Sequence, residues 1–409
     1  AFLDPEHARR QARTLDDFRK RGLPIGPLHG LPVGVKDIVD TKDFGTENGT
    51  VLHAGRRPKK DATIVRRLRS AGAVVLGKTV TTELAAYAPG KTRNPHDPAH
   101  TPGGSSSGSA AAVADGMVPL AIGTQTNGSV IRPAAFCGVY GFKPSHGLIP
   151  RTGVLAQSRP LDTIGTMAAH LEDTALLAEV LAGADGRDPD VPDTAAPRLL
   201  EVLDEPPPVT PRLAFVKTPV FDQADEETVA AFSELTGALG ERVEEVELPA
   251  AFERAHDFQR TLMEADFARS FHELYERGAD RLSGVLRGQI ERGRTLLAVD
   301  YNRAIDAIGI YNGVLDELFD RYDAVLTPAA PGAAPRGLEA TGSPTFCTIW
   351  TLCGTPAITL PLLQNDAGLP IGVQLVGRKG EDGRLLRTAR WLVETLAAES
   401  ALAGSAGTS

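Results

Sequence analysis

Two rhythms of apolar residues run along this chain. Short uninterrupted apolar runs alternate with stretches in which apolar positions return every three or four residues, which predicts buried strands between amphipathic helices. Residues 5–21 are charged with apolar positions at helical spacing, and the prolines from Pro24 to Pro32 punctuate the chain before a strand over Pro32–Lys36. Asp61 stands where an N-cap would precede a helix carrying Ile64, Val65 and Leu68 up to Gly72, and Ala73–Leu76 then predicts a strand closed by Gly77. The same order returns in Thr228–Leu239 followed by Val243–Leu248, and in Tyr301–Phe319 followed by Ala324–Leu326. A last strand over Ile371–Val376 precedes a helix over about residues 383–397. Helices feeding short buried strands are the grammar of an α/β protein. Residues 252–322 are strongly helical and charged, with Phe267, Phe271, Leu274 and Tyr275 spaced to face a core. The Pro- and Asp-rich segment from Asp188 to Pro211 predicts a surface connection.

Composition narrows the class of protein. The chain has 409 residues, enough for a thick core, with 42% apolar and 23% charged residues, so wholesale disorder is excluded. Glycine (42) and proline (30) are nearly 18% of the chain, against roughly 12% in average usage, which demands either low-complexity tails or many tight turns. The formal net charge is −9 and no block of five or more Lys/Arg occurs, so a reader of duplex nucleic acid is not expected. The apolar stretch from Ala110 to Ile122 is broken by Asp115, Gly116 and Pro119, well short of the roughly 18 residues a membrane span needs. Three cysteines, Cys137, Cys347 and Cys353, show no paired metal spacing and favour a reducing, cytoplasmic setting. No cofactor, metal, membrane or nucleic-acid partner is therefore expected, and the chain is expected to work as a monomer or homodimer.

The chemistry concentrates in two small-residue tracts. Gly103-Gly104-Ser105-Ser106-Ser107-Gly108-Ser109 has the composition of a flexible linker, yet Ala110–Val113 continues it as a helix former and Val118–Ile122 as a buried strand. A Gly/Ser tract inside the densest apolar region is a close-approach loop at a helix N-terminus, able to offer backbone N–H groups to an oxyanion or carboxylate. Phosphate cradling is the rival use, but the Gly-Lys-Ser/Thr ending of a P-loop is missing. The second tract, Gly123-Thr124-Gln125-Thr126-Asn127-Gly128-Ser129, would place Ser129 on a tight bend with neighbouring amides converging, as acyl transfer requires. A serine nucleophile needs a base. His29, His96, His100 and His146 lie in turns, whereas Lys36 ends an apolar strand, an uncommon place for a lysine without a reason.

Several longer motifs then resemble the amidase signature family: His29 to Asp37, Gly103 to Ala110, the turn before Ser129, Cys137 to Pro144, Gly354 to Pro361 and Gly368 to Gln374. Ser129 follows Ser105 by the 24 positions that separate the two serines of that family. The resemblance runs from Pro24 to about Ala397. It implies one amidase domain, α/β with a central mixed, twisted sheet covered by helices on both faces. Its signature core would span about residues 24–180 and 323–397, with a variable helical pocket region at about 252–322. It further implies a triad of Ser129 as nucleophile, Ser105 as the bridging serine after a cis peptide bond, and Lys36 as base. The oxyanion hole would be the backbone N–H groups of Thr126, Asn127, Gly128 and Ser129, with Ser106 supporting the network. A lysine titrates near 10.4 in the open, so Lys36 serves as a base only where burial favours its neutral form.

The chain also departs from the family, which often reads Thr-Asp-Thr-Gly-Gly-Ser followed by Ile-Arg. Gln125 stands at the aspartate and Ile131 at the arginine, so both members of an ion pair are lost together, and Arg132 follows one position later. Asn127 replaces a glycine beside the oxyanion hole and is expected to narrow the substrate range. Glu83 and Asp162 match family positions and are expected to orient loops. Tyr87, Phe267, Tyr311 and Trp350 are candidate pocket walls. The leading expectation is an acylamide amidohydrolase of small linear carboxamides, with carbamates, ureas or esters open to the same chemistry. The alternatives are the glutaminase subunit of a tRNA-dependent amidotransferase and an inactive binding protein on the same scaffold.

Overall fold

The computed structural model describes residues 1–406, with side chains to Glu399. Eleven strands form one sheet: β1 (Phe2–Leu3), β2 (Pro32–Lys36), β3 (Val74–Thr79), β4 (Leu120–Gln125), β5 (Tyr140–Lys143), β6 (Thr163–Ala168), β7 (Leu213–Val216), β8 (Val243–Val246), β9 (Ala324–Pro328), β10 (Ala357–Gln364) and β11 (Pro370–Val376). Their order is β1-β3-β2-β4-β6-β5-β10-β11-β9-β7-β8. Pairing is mixed: β2 lies parallel to β3 and β4, and β7 parallel to β8 and β9, while β4–β6, β5–β10 and β10–β11 run antiparallel. The sheet is thus α/β in class with a mixed centre, as the resemblance implies.

Strand alternation divides the core. Val33 and Val35 on β2 and Leu120 and Ile122 on β4 point to one face, against Ile64 and Leu68 of the helix Thr63–Ser70 and Leu177 and Leu181 of the helix Leu171–Leu181. Ala121, between two of those residues, points to the opposite face and meets Ala110 and Val113 of the helix Ser107–Ala114. Successive side chains on a strand leave opposite sides of the pleat, so a strand covered on both faces must be apolar at every position. That is why these strands read as continuous apolar runs. A further cluster on that opposite side gathers Leu262, Met263 and Phe267 of the helix Ala255–Ser270 with Leu315 and Phe319 of the helix Ala298–Phe319.

Three expectations change. Asp61 does not cap the helix after it: Ala62 takes the cap position, while Asp61 accepts from Lys42 N and pairs with Arg69. The Pro- and Asp-rich connection contains a helix, Leu199–Asp204, whose Leu199 and Leu203 are buried beside Leu385 and Leu386 of the helix Asp382–Ala406. Two leucines four residues apart were enough to dock one short helix despite the surrounding prolines. Finally, β4 runs on to Gln125, so Thr124 and Gln125 belong to the strand rather than to the turn, through pairing with Ile164 and Thr163.

Candidate active site

Lys36 is the last residue of β2 and is completely buried between β3 and β4. Its Nζ lies 2.7 Å from Ser105 Oγ and 2.8 Å from Thr124 Oγ1, with the Thr124 carbonyl at 3.4 Å. Burial pushes the Lys36 ammonium well below the usual lysine range, opposed by the charge of Asp162. Desolvation favours the neutral amine, which is the form able to accept a proton.

The Gly/Ser tract is built into the core. The Gly104–Ser105 peptide is cis, and Arg132, itself buried, donates to the Gly104 carbonyl at 2.7 Å and to the Gly342 carbonyl at 2.8 Å. Ser106 Oγ donates to the Thr124 carbonyl and accepts from the Thr124 amide, both at 3.2 Å, which ties the tract to β4. Gly108 packs so closely on Val80 that a Cβ there would lie 2.3 Å from the Val80 nitrogen. Only glycine permits that approach.

Beyond β4 the chain turns through Thr126, Asn127, Gly128 and Ser129 into the short helix Ile131–Phe136. All three carbonyls before Ser129 are engaged: Gln259 Nε2 donates to Thr126 O (3.1 Å), Thr351 Oγ1 to Asn127 O (2.5 Å), and the Arg132 amide to Gly128 O (2.9 Å). The amides of Asn127, Gly128 and Ser129 make no hydrogen bond to any described residue. Buried backbone donors are nearly always paired, so three adjacent unpaired ones in a buried turn mark a place where an acceptor can bind. Ser129 is 8% exposed at this turn. Among the described residues no hydrogen bond joins Ser129 Oγ to Ser105 or Lys36, so the Lys36–Ser105 pair is in direct contact while Ser129 stands apart from it.

Gln125 shows how the altered turn is held. Its Oε1 accepts from the amides of Val130 (2.8 Å) and Ile131 (3.0 Å), and its Nε2 donates to Thr351 Oγ1 at 2.9 Å. A neutral carboxamide thus supplies the acceptor for two helix-start amides with no counter-ion, and Ile131 joins the apolar cluster. Gln125→Leu would leave two buried amides unpaired, at about 1–3 kcal/mol each. The expected outcome is a thermal midpoint several degrees lower, and an unchanged midpoint in a melting experiment would show that these bonds carry no weight.

Asn127 is buried among polar side chains. Its Nδ2 donates to the Tyr87 hydroxyl (3.1 Å) and Gln259 Oε1 (3.4 Å), and its Oδ1 accepts from Thr348 Oγ1 (2.8 Å). Tyr87 is therefore brought to the turn. Phe267, Tyr311 and Trp350 sit within the large apolar cluster, and Tyr311 commits its hydroxyl to the Ala251 carbonyl. Asp162 lies under the turn: Oδ1 accepts from Thr126 Oγ1 (2.6 Å), and Oδ2 from the amides of Gln157 (2.8 Å) and Ser158 (3.0 Å). Glu83 accepts from the Ser283 amide at 3.0 Å. Sequence reasoning gave no individual role to Thr124 or Thr351 and passed over Gln259. Each is an ordinary polar residue on a strand or helix, and its partner lies 88 to 226 positions away.

The chain that carries this buried lysine–serine pair is similar to known proteins along nearly its whole length. The Amidase family model covers residues 1–386, and the chain belongs to that family of amide-cleaving enzymes. Relatives from Symbiobacterium thermophilum and Thermus thermophilus, each named as a subunit of Glutamyl-tRNA(Gln) amidotransferase, are both 36% identical to it, over 94% and 89% of this chain and 86% and 84% of their own lengths. A solved peptide amidase from Stenotrophomonas maltophilia superposes with a TM-score of 0.83 at 30% identity, over 96% of this chain and 88% of its own.

The relatives correct two expectations. A self-contained hydrolase of small carboxamides does not stand against similarity to amidotransferase subunits along nearly the whole chain. With it falls the expected partner set of a small molecule alone, no nucleic acid, and a monomer or homodimer. The physical reason is that acyl-transfer residues are the same whether the freed amine is released or passed on. Formal charge, for its part, reports only on the surfaces of this chain and not on those of a complex. Among the described residues no helix is long and apolar enough to cross a membrane.

Proposed function

We propose that this chain is the amide-cleaving subunit of a tRNA-dependent amidotransferase, releasing ammonia from the side-chain carboxamide of glutamine for use within a complex. The observation that carries the chemistry is the buried Lys36 in contact with Ser105 beside three unpaired amides. Similarity to the Glutamyl-tRNA(Gln) amidotransferase subunits named above supports the transfer role. Ser129 Oγ attacks the glutamine amide carbon while its proton passes through Ser105 to neutral Lys36. The resulting oxyanion is met by the backbone N–H groups of the turn Thr126–Ser129, each such donor being worth about 3–4 kcal/mol in the transition state. Lys36, through Ser105, returns the proton to the leaving nitrogen, the C–N bond breaks and ammonia departs. Water then cleaves the glutamyl ester to glutamate and free Ser129. Glutamine is itself a linear amide, so the acylamide type of cleavage is retained within this reading. The helices over 255–319 would wall the pocket through Gln259 and Met263.

The test combines the chain with the remaining subunits of an amidotransferase and follows both ammonia release from glutamine and amide formation on glutamyl-tRNA(Gln). Glutamine-dependent amide formation that disappears when this chain is left out is the expected result. Absence of ammonia from glutamine in the full mixture would end this reading.

A further inference from the structure

We propose that Asp162 is a positioning residue of the reaction: one carboxylate oxygen anchors the oxyanion turn through Thr126, and its negative charge opposes the burial that keeps Lys36 neutral. The inference rests on Ser129 and Lys36 having the roles given above.

Asp162 directly precedes β6, the antiparallel neighbour of β4, so it sits beside the point where β4 ends and the turn begins. Its two oxygens are used differently. Oδ2 is fixed by the Gln157 and Ser158 amides, which leaves Oδ1 aimed at Thr126 Oγ1, 2.6 Å away, where it shares the single hydroxyl proton with Gln157 Oε1 at 2.7 Å. Thr126 is the first residue of the turn, and its carbonyl is held from the other side by Gln259. The turn is therefore pinned at its base by Asp162 and Gln157 from the segment leading into β6 and by Gln259 from the helix Ala255–Ser270.

Other charges near this point are already committed. Asp37, next to Lys36 on β2, pairs with Lys78 at 3.1 Å. Arg132, on the short helix after the turn, serves backbone carbonyls. On the helix Ala255–Ser270, Glu264 is bound by Arg292, and Asp266 by Ser158 and Arg269. Facing Asp162, Arg151 is engaged by Asp188 and Asp190, and Arg159 by Asp190. Among the described residues Asp162 is left as the charge that favours the ammonium form of Lys36, against the larger effect of burial, and burial raises its own carboxyl to about 6 despite three hydrogen bonds. Asp162, Thr124 and Thr126 also line a cavity of about 350 Å³ whose wall includes Arg187 and Arg269. Thr124 bonds Lys36 directly, so the cavity ends one side chain away from the lysine, which itself is fully buried.

The sign of the effect follows. A carboxylate raises the pKa of a nearby amine, so removing the charge lets Lys36 lose its proton at lower pH. The experiment is the rate at which a small fluorophosphonate modifies Ser129, followed by intact mass across pH, for the full chain and three variants. Asp162→Asn is expected to move the acid limb down by about half a pH unit or more, with the gap closing below about pH 6, where wild-type Asp162 is itself protonated. Asp162→Glu restores the limb. Thr126→Val keeps the charge but loses the anchor, so its plateau falls by about tenfold or more with the limb in place. A limb unmoved or raised in Asp162→Asn overturns the electrostatic half, and an undiminished plateau in Thr126→Val overturns the anchoring half even where Asp162→Asn fails to fold. No adduct on the wild-type chain overturns both this inference and the assignment of Ser129, whereas an adduct indifferent to Asp162 overturns the inference alone.

Discussion

Ser129→Ala is expected to lower the rate of ammonia release by on the order of 10⁴-fold or more while leaving the fold intact. The magnitude follows from what is removed. Without the hydroxyl there is no acyl-enzyme, and Lys36 and Ser105 have no nucleophile to deprotonate, so the whole relay is lost at once. The residual rate would come from binding and from the turn amides. The fold is expected to survive because Ser129 Oγ makes no hydrogen bond among the described residues, so its loss strands no partner. The measurement is double: turnover of glutamine in the reconstituted complex, and intact-mass labelling of the isolated chain with a fluorophosphonate. Wild type should gain one adduct that maps to Ser129 and the variant none. An undiminished adduct on Ser129→Ala would place the nucleophile elsewhere in the chain.

Much of the architecture could be read from apolar runs. Val33, Val35, Leu120 and Ile122 announce strands covered on both faces, and the sheet uses them so. The Gly/Ser tract was legible because it is followed by Ala110–Val113, which no flexible linker would be, and it is in fact buried. Lys36 stood out as a charge at the end of an apolar strand, and the structure puts it within 2.7 Å of Ser105. What escaped were residues whose meaning is purely tertiary. Thr124 looks like any strand threonine until the fold sets its hydroxyl against Lys36. Gln259 looks like one of many polar positions on a charged helix until that helix folds over the turn. Arg132 was visible as a neighbour of the missing arginine, but its use, holding the Gly104 carbonyl, needed coordinates. The larger miss was functional, and it has a chemical cause. Ammonia lost to water and ammonia handed to a partner leave the same serine, so no pattern within the catalytic tracts separates them. What weighs against the self-contained hydrolase is similarity to amidotransferase subunits over 94% and 89% of the chain.

Lys36→Met is expected to lower turnover on the order of 10²–10⁴-fold, the usual weight of a positioned general acid–base, and also to change how stability depends on pH. The side chain is completely buried, and burial depresses its pKa from the usual 10.5. Between the folded value and 10.5, the unfolded chain binds a proton that the folded one refuses. Wild-type stability therefore falls as pH is lowered through that window, by up to about 1.4 kcal/mol per pH unit. Methionine carries no titrating group and is close in volume, so the variant lacks this slope. It also leaves Ser105 Oγ and Thr124 Oγ1 without their lysine partner, a cost that does not vary with pH. The two contributions separate on that basis: relative to wild type, Lys36→Met should gain in thermal midpoint between pH 9.5 and pH 7, whatever the absolute order of the two proteins. Parallel stability curves would mean that Lys36 remains an ammonium in the folded protein. An ammonium cannot take the proton from Ser105, and the relay would then need another base.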